Sequence, residues 1–254
     1  MTRRLSLYQE LDPDLVLRAY AMGVFPMADH RDAPGVYWVE PKLRGVLPLD
    51  GFHLSRSLRK TILGDRYRVT ADRAFDAIVA LCAQSATDRP ETWINPPIAH
   101  VFAQLHERGF AHSIECWDGD RLVGGLYGLA LGRAFFGESM VSRATDASKV
   151  ALAWLTARLR VGGFTLLDCQ FQTDHLRTMG AVEIRRDAYM ALLNASLGET
   201  SAGLASGSPV VTGVFGALDR LREVGVAPSA ALDKSTVSGP VSGRDIVQLL
   251  GHTS

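Results

Sequence analysis

Residues 135–171, FFGESMVSRATDASKVALAWLTARLRVGGFTLLDCQF, decide how this chain folds. Two short apolar runs flank a segment in which Val150, Ala151, Trp154, Leu155 and Leu159 recur at helical spacing. Thr145-Asp146 supplies a helix start and Gly162-Gly163 a stop, so the stretch reads as strand, helix, strand. Side chains alternate between faces along a strand, which predicts that Glu138 shares a face with Met140, and Asp168 with Gln170. Carboxylates and an amide then stand among aromatic and thioether side chains. A small site needs that mixture if it is to hold an apolar group beside a polar reacting centre.

Upstream, Asp12-Pro13-Asp14 followed by Leu15, Ala19 and Met22, with Gly23 beyond, predicts a capped helix. Gly23 to Pro26, Gly35 to Pro41 and Arg44 to Pro48 are short segments broken by proline, expected as edge strands and turns of a small N-terminal unit over residues 1–51. Phe75, Ile78, Val79 and Cys82 mark a helix with Cys82 in the core. Asn95-Pro96-Pro97 caps another that carries Ile98, Val101, Phe102 and Leu105. Trp93, just before that cap, reads as a hydrophobic staple or as a stacking platform. His112 to Trp117 and Arg121 to Tyr127 form a hairpin around Asp118-Gly119. A helical turn at His175 to Met179 and a helix from Asp187 close an α+β domain with a mixed sheet, residues 52–196.

From residue 197 to 254 Ser, Gly, Ala and Val dominate, and the reading is a flexible tail. Within it Val211 to Leu221 and Arg244 to Leu250 have helical spacing and could dock on the body or on a partner.

Lys plus Arg and Asp plus Glu number 27 each, so no global field draws the chain to nucleic acid, and such a partner would have to meet a local patch. The densest basic region runs from Arg56 through Arg59, Lys60, Arg66 and Arg68 to Arg73. It reads as a solvated face or as a set of phosphate contacts. Three cysteines without CxxC spacing argue against a disulfide framework and a zinc site, and fit a reducing cytoplasm. No apolar run is long enough to span a bilayer, so no membrane partner is expected.

Signatures of P-loop, zinc-hydrolase, serine-hydrolase and dinucleotide chemistry are missing. The element order resembles an acyl-CoA acetyltransferase, whose pyrophosphate loop opens a helix. The nearest run, Arg177-Thr-Met-Gly180-Ala-Val182, ends on valine where that loop carries a small residue.

An ordered series of motifs over roughly residues 8–195 carries a more specific resemblance. It comprises Tyr37-Trp38-x-x-Pro41, His53-Leu-Ser-Arg-Ser57, Thr92-Trp93-Ile94, His112-Ser-Ile-Glu-x-Trp117 and Leu122-Val-Gly-Gly-Leu-Tyr-Gly128. It continues with Gly137-Glu-Ser-Met-Val-Ser-Arg143, Ala147-Ser-Lys149, Asp168-Cys-Gln170 and His175-Leu-x-x-Met-Gly-Ala181. Together they resemble the leucyl/phenylalanyl-tRNA-protein transferases. The resemblance implies a small N-terminal domain joined to an acetyltransferase-like domain, and transfer of Leu or Phe from charged tRNA to proteins that begin with Arg or Lys. It implies no cofactor and no metal. An acyl-CoA-dependent N-acyltransferase on the same fold is the alternative.

The family's catalytic glutamate and glutamine fall on Glu138 and Gln170, and its supporting aspartate on Asp168. An amide is a very weak base, so Gln170 reads as a partner that aligns the incoming amine, while Glu138 meets positive charge. The plainer readings are an ion pair from Glu138 to Arg143 or Lys149 and a backbone cap at Asp168. By family position Leu126, Phe135, Phe136, Met140, Leu152 and Leu155 are candidates for an aminoacyl side-chain pocket, several of which would otherwise be core. Trp38 and Trp93 are candidates for the terminal adenosine, and Arg56 to Arg68 for tRNA phosphates.

Overall fold

The computed structural model describes residues 10–84, 92–198, 212–221 and 241–251. Helix α1 (Pro13–Ala21) begins as its sequence predicts, with Asp12 Oδ1 accepting the Asp14 amide at 2.9 Å and proline in the first turn. Strands β1 (Phe25–Met27) and β2 (Tyr37–Val39) pair antiparallel as a separate two-stranded sheet.

The next strand, β3 (Leu43–Val46), departs from expectation. It is interior to the large sheet, hydrogen-bonded on both sides, and Arg44, Gly45 and Val46 are all buried. Prolines at 41 and 48 suggested an edge, but both lie outside the paired residues and leave the ladder donors intact.

The chain then runs through α2 (Arg56–Leu63), β4 (Arg68–Ala71), α3 (Phe75–Cys82) and α4 (Pro96–Glu107). Asn95 Oδ1 caps α4 by accepting the Ile98 amide at 3.1 Å. The hairpin β5 (Ala111–Asp118) and β6 (Arg121–Leu131) leads to β7 (Ala134–Ser142), α5 (Ala147–Val161) and β8 (Leu166–Gln170). Short α6 (Asp174–Arg177), β9 (Val182–Arg185) and α7 (Arg186–Leu197) follow. The seven strands lie in the order β4-β5-β6-β7-β8-β3-β9, and every neighbouring pair is antiparallel except β7 and β8. That parallel pair, joined by α5, is the strand-helix-strand unit of residues 135–171, and the mixed sheet matches the expected α+β class. Strand β9 escaped the sequence because Glu183 and Arg185 give it no apolar run.

Two apolar layers cover the sheet. Leu58, Ile62, Val150, Leu152 and Leu155 of α2 and α5 pack with Ile114, Val123, Phe135 and Leu167 on one face. Val16, Tyr20, Ile78, Val101, Phe102 and Leu193 of α1, α3, α4 and α7 pack with Tyr127, Leu129 and Phe136 on the other. The described parts of the tail are docked on the body. Phe215 and Leu218 of the α8 segment (helix Ala217–Arg220), and Ile246, Val247 and Leu250 of α9 (Gly243–Gly251), are buried in the α2–α5 layer. Arg158 of α5, itself 3% exposed, holds Asp219 with two hydrogen bonds of 2.5 and 2.7 Å. The rest of the tail, which was expected to be flexible, lies outside the described residues.

Candidate active site

Strands β7 and β8 stay paired only from Ala134 and Leu166 to Phe136 and Asp168. Beyond that point each strand departs from regular alternation. On β7 the partners of Tyr127 and Gly128 are Ser139 and Gly137, so Glu138 is an extra residue without a cross-strand partner. Such a bulge re-aims the side chain it carries. Gly128 permits it, since a Cβ there would lie 2.2 Å from the Phe136 carbonyl oxygen.

On β8 the extra residue is Cys169, which the β3 register skips between Gly45 and Val46. Gln170 then takes a left-handed conformation, φ +55°, and the Phe171 amide donates back to the Cys169 carbonyl at 2.6 Å. This is the rarer and more strained form of the γ-turn. It turns the Gln170 side chain to meet the bulge, where Gln170 Nε2 donates to Glu138 Oε1 at 2.9 Å. Asp168 and Gln170 stay linked across the turn, since the Gln170 amide donates to Asp168 Oδ1 at 2.8 Å.

Asp168 lies behind the turn, completely buried. Its carboxylate accepts from Arg44 Nε at 2.9 and 3.0 Å, from Arg44 Nη2 at 2.6 Å and from the Tyr189 hydroxyl at 2.8 Å. Asp168 Oδ1 also accepts the Gln170 amide at 2.8 Å. The backbone cap foreseen for Asp168 is therefore present, and so is an ion pair that nothing in the sequence pointed to. Arg44 also donates to the Gly23 carbonyl, and its guanidinium lies over the Phe25 and Tyr189 rings.

Glu138 is 9% exposed, and burial pushes its carboxyl up to about 8. The Asp168 charge pushes the same way, while Tyr20, Arg44 and the Gln170 bond oppose the rise. The ion pairs weighed from sequence do not form: among the described residues Lys149 pairs with Asp146 at 3.2 Å, and no cation lies within ion-pair distance of Glu138. The Tyr20 hydroxyl is buried beside the carboxylate but makes no hydrogen bond of full geometry, and burial followed by the Glu138 charge raises its pKa.

A cavity of about 280 Å³ opens where β7 and β8 diverge. Gly137 to Met140 form one polar-to-apolar edge and Cys169 to Phe171 the other. Leu126, Leu152, Leu155, Leu167 and Leu176 form the floor, and Phe25, Met27 and Trp93 close a side. Of the expected pocket residues, Leu126, Met140, Leu152 and Leu155 line it, and Trp93 is in the wall. Phe135 and Phe136 do not. They belong to the paired part of β7, where alternation sends Phe135 to stack on Phe215 and Phe136 to meet Tyr20 edge-on at 5.0 Å. Trp38 stands 38% exposed on β2 and is not part of the lining.

Sequence reasoning missed Phe25 and Met27, which reach the cavity from β1, together with Arg44 and Tyr189. The Gly23-Val-Phe-Pro26 segment was the available signal for the first two; Arg44 has its partner 124 positions away and offered none.

Arg56, Arg59, Lys60 and Arg66 are exposed on and after α2. Arg68 is half-buried with its guanidinium over Trp117. The His53 amide donates to the Met179 carbonyl, which links the start of α2 to the α6 turn that bears Leu176. The run Arg177 to Val182 leads into strand β9, not a helix start, so it presents no open first-turn amides to a pyrophosphate.

The model of the leucyl/phenylalanyl-tRNA protein transferase family matches residues 46–194, and the model of that transferase's N-terminal domain matches residues 9–42. The chain belongs to this family. Among relatives named leucyl/phenylalanyl-tRNA–protein transferase, that of Rhizorhabdus wittichii is 62% identical over 247 residues, 96% of this chain and 99% of the relative. That of Zymomonas mobilis is 63% identical over 74% of this chain and 70% of its own. That of Paramagnetospirillum magneticum is 57% identical over 75% of this chain and 91% of its own. A solved structure, L-PGS from Bacillus licheniformis, aligns over 67% of this chain and 56% of its own at 12% identity and a TM-score of 0.38, too remote a likeness to bear on the site. The transferase match of 46–194 takes in Glu138, Asp168, Gln170 and the cavity floor, and the docked tail segments lie beyond it.

Proposed function

We propose that this transferase moves Leu or Phe from aminoacyl-tRNA to the α-amine of proteins that begin with Arg or Lys, with Glu138 and Gln170 at the reacting centre. The observation that supports it most is the joining of a 280 Å³ apolar cavity to a buried carboxyl-amide pair at its edge. An aminoacyl ester is already an activated acyl donor, so no covalent enzyme intermediate is needed. Holding the ester carbonyl against the amine supplies much of the rate, about 7 to 11 kcal/mol at best.

The donor side chain enters the Leu126, Met140, Leu152 and Leu155 cavity, where methionine adapts to branched or flat groups. Gln170 gives its Nε2 to Glu138 and turns Oε1 toward an incoming N–H. The amine nitrogen bonds to the ester carbon, the bond from that carbon to the ribose oxygen breaks, and one amine proton ends on the released hydroxyl. Glu138, protonated at rest below about 8, gives its proton to the departing ribose oxygen, and the carboxylate so formed takes the proton from the amine nitrogen, so the net transfer is from nitrogen to oxygen and Glu138 ends neutral.

Asp168 supports Gln170 from behind. Trp93 offers a ring to the terminal adenosine, and exposed Trp38 a second; stacking of a base is worth roughly 1 to 3 kcal/mol. Arg56, Arg59, Lys60, Arg66 and Arg68 take phosphates of the acceptor stem. Among the described residues no helix is long and apolar enough to cross a membrane, and we read the reaction as cytoplasmic.

The test is transfer of radiolabelled Leu or Phe from charged tRNA to an Arg-initiated peptide and to an Ala-initiated one. Labelling of the first alone is expected. Labelling of both equally removes the acceptor assignment, and labelling of neither where the charged tRNA binds removes the reaction.

A further inference from the structure

We propose that Arg44 and Tyr189 are positioning residues of this site: they lock Asp168 so that it holds the left-handed turn at Gln170, and through that turn they deliver the Gln170 amide to Glu138. The inference rests on the reading of Glu138 and Gln170 as the reacting centre and extends it to a layer that neither touches substrate nor lines the cavity.

The chain of contacts is continuous. Gln170 occupies a backbone conformation that L residues seldom adopt, which persists only where surrounding bonds impose it. One bond that imposes it is donated by the Gln170 amide to Asp168 Oδ1 at 2.8 Å, a side chain turning the backbone two residues on. A carboxylate can do this only if it cannot rotate. Arg44 reaches it from β3 through Nε and Nη2, with the nearest contact at 2.6 Å, and Tyr189 from α7 at 2.8 Å.

Arg44 is fixed in turn by the Gly23 carbonyl and by the rings of Phe25 and Tyr189, whose centroids lie 4.7 and 4.5 Å from its guanidinium carbon, and it is 1% exposed. The same strand presses on the turn directly: a Cβ at Gly45 would lie 2.7 Å from the Gln172 amide nitrogen and 2.8 Å from the Phe171 carbonyl carbon. A buried ion pair is a weak device for stability, since two charges lose their water to form it. Its value here is geometric. Arg44 also neutralises the Asp168 charge, which would otherwise raise the proton affinity of Glu138 still further.

The experiment compares the full-length wild-type chain with Tyr189→Phe, Arg44→Lys and Arg44→Gln. Tyr189→Phe keeps the ring and loses one donor. Steady-state transfer is measured with donor varied, the unfolding midpoint is recorded, and the Glu138 carboxyl is titrated by carbon-13 NMR without substrate.

The expected result is a fall in kcat of about tenfold for Tyr189→Phe and up to about 100-fold for Arg44→Gln. KM for the charged tRNA should stay within about twofold, as for an interaction made only in the transition state. Arg44→Lys should recover part of the loss. The Glu138 titration should move to higher pH in Arg44→Gln and little in Tyr189→Phe.

Lower midpoints with kcat unchanged would overturn the proposal and leave the cluster a structural ion pair. A raised KM at unchanged kcat would overturn it in favour of a binding role. If the wild-type chain transfers nothing, the proposed reaction fails by itself. The Glu138 titration still decides whether the clamp acts on the pair, and an unmoved titration in Arg44→Gln refutes it.

Discussion

Replacing Glu138 by glutamine should make this protein more stable, and increasingly so as pH rises. Burial lifts the Glu138 carboxyl from its ordinary 4.5 to about 8. The folded chain therefore keeps a proton that the unfolded chain has already released. The sign follows: the neutral acid's contribution is fully present below 4.5, declines as pH climbs from 4.5 to about 8, and is gone above it. At about 1.4 kcal/mol for each pH unit of that gap, the full loss is ~5 kcal/mol, an upper figure because the site can relax or admit water.

Glutamine has almost the same shape, still bonds the Gln170 amide and does not titrate. The stability difference, variant minus wild type, should grow by ~4 kcal/mol between pH 5 and pH 8.5. Titrating groups that are not coupled to Glu138 are common to both proteins and drop out of the difference. Urea unfolding at five or six pH values measures it, and thermal midpoints should separate by roughly 10 °C at the alkaline end. A difference constant within about 1 kcal/mol would refute the reasoning, because Glu138 would then titrate as an exposed carboxyl does. A difference that grows in the opposite sense would mean that a cation holds Glu138 ionised.

Narrowing the cavity with Leu155→Phe should cut kcat/KM for the Phe donor at least about tenfold more than for the Leu donor, by the usual worth of a misfitted methylene or ring; parallel loss would place the donor side chain elsewhere. Substituting Arg56, Arg59 and Lys60 together with glutamine should reduce the slope of log donor affinity against log salt by about 2, read by filter binding at four salt concentrations; an unchanged slope would free these residues from phosphate contact. Asp219→Ala strands the buried Arg158 guanidinium and should cost about 2 kcal/mol in urea unfolding, below the value for a wholly buried pair because Asp219 is 44% exposed. Adding Arg158→Met should restore part of that loss; a double variant as unstable as the single one would assign the cost to packing on Phe215.

Local rules carried the reading of the elements far. Asp12, Asn95 and the Gly162-Gly163 pair bound α1, α4 and α5 because caps and stops act within a few residues. The α5 helix and its flanking strands were legible for the same reason. What stayed hidden depends on pairing across distance. β3 joins strands more than a hundred positions away, and its flanking prolines gave the opposite impression. The tail segments proved to pack on the body because Phe215 and Leu250 found apolar surface on α5 and α2, which no spacing within the tail announces.

The candidate site shows where the period-two rule ends. It placed Glu138 with Met140, and both do line the cavity, but Gly137 and Ser139 line it as well. A regular strand cannot turn four consecutive residues to one space, whereas a bulge at Glu138 can. Likewise alternation could not show that Gln170 is left-handed, nor that Asp168 bonds Arg44 and the Gln170 amide while the Gln170 side chain bonds Glu138. Phe135 and Phe136 do not line this cavity for the complementary reason: they sit where the strands are still regular and paired, so each side chain is committed to one core layer. The cavity exists because β7 and β8 stop pairing at Phe136 and Asp168, and the two irregular residues just past that point are the two that meet. Restoring regularity, for example by moving the turn off Gln170, would close the opening and part the carboxyl-amide pair together.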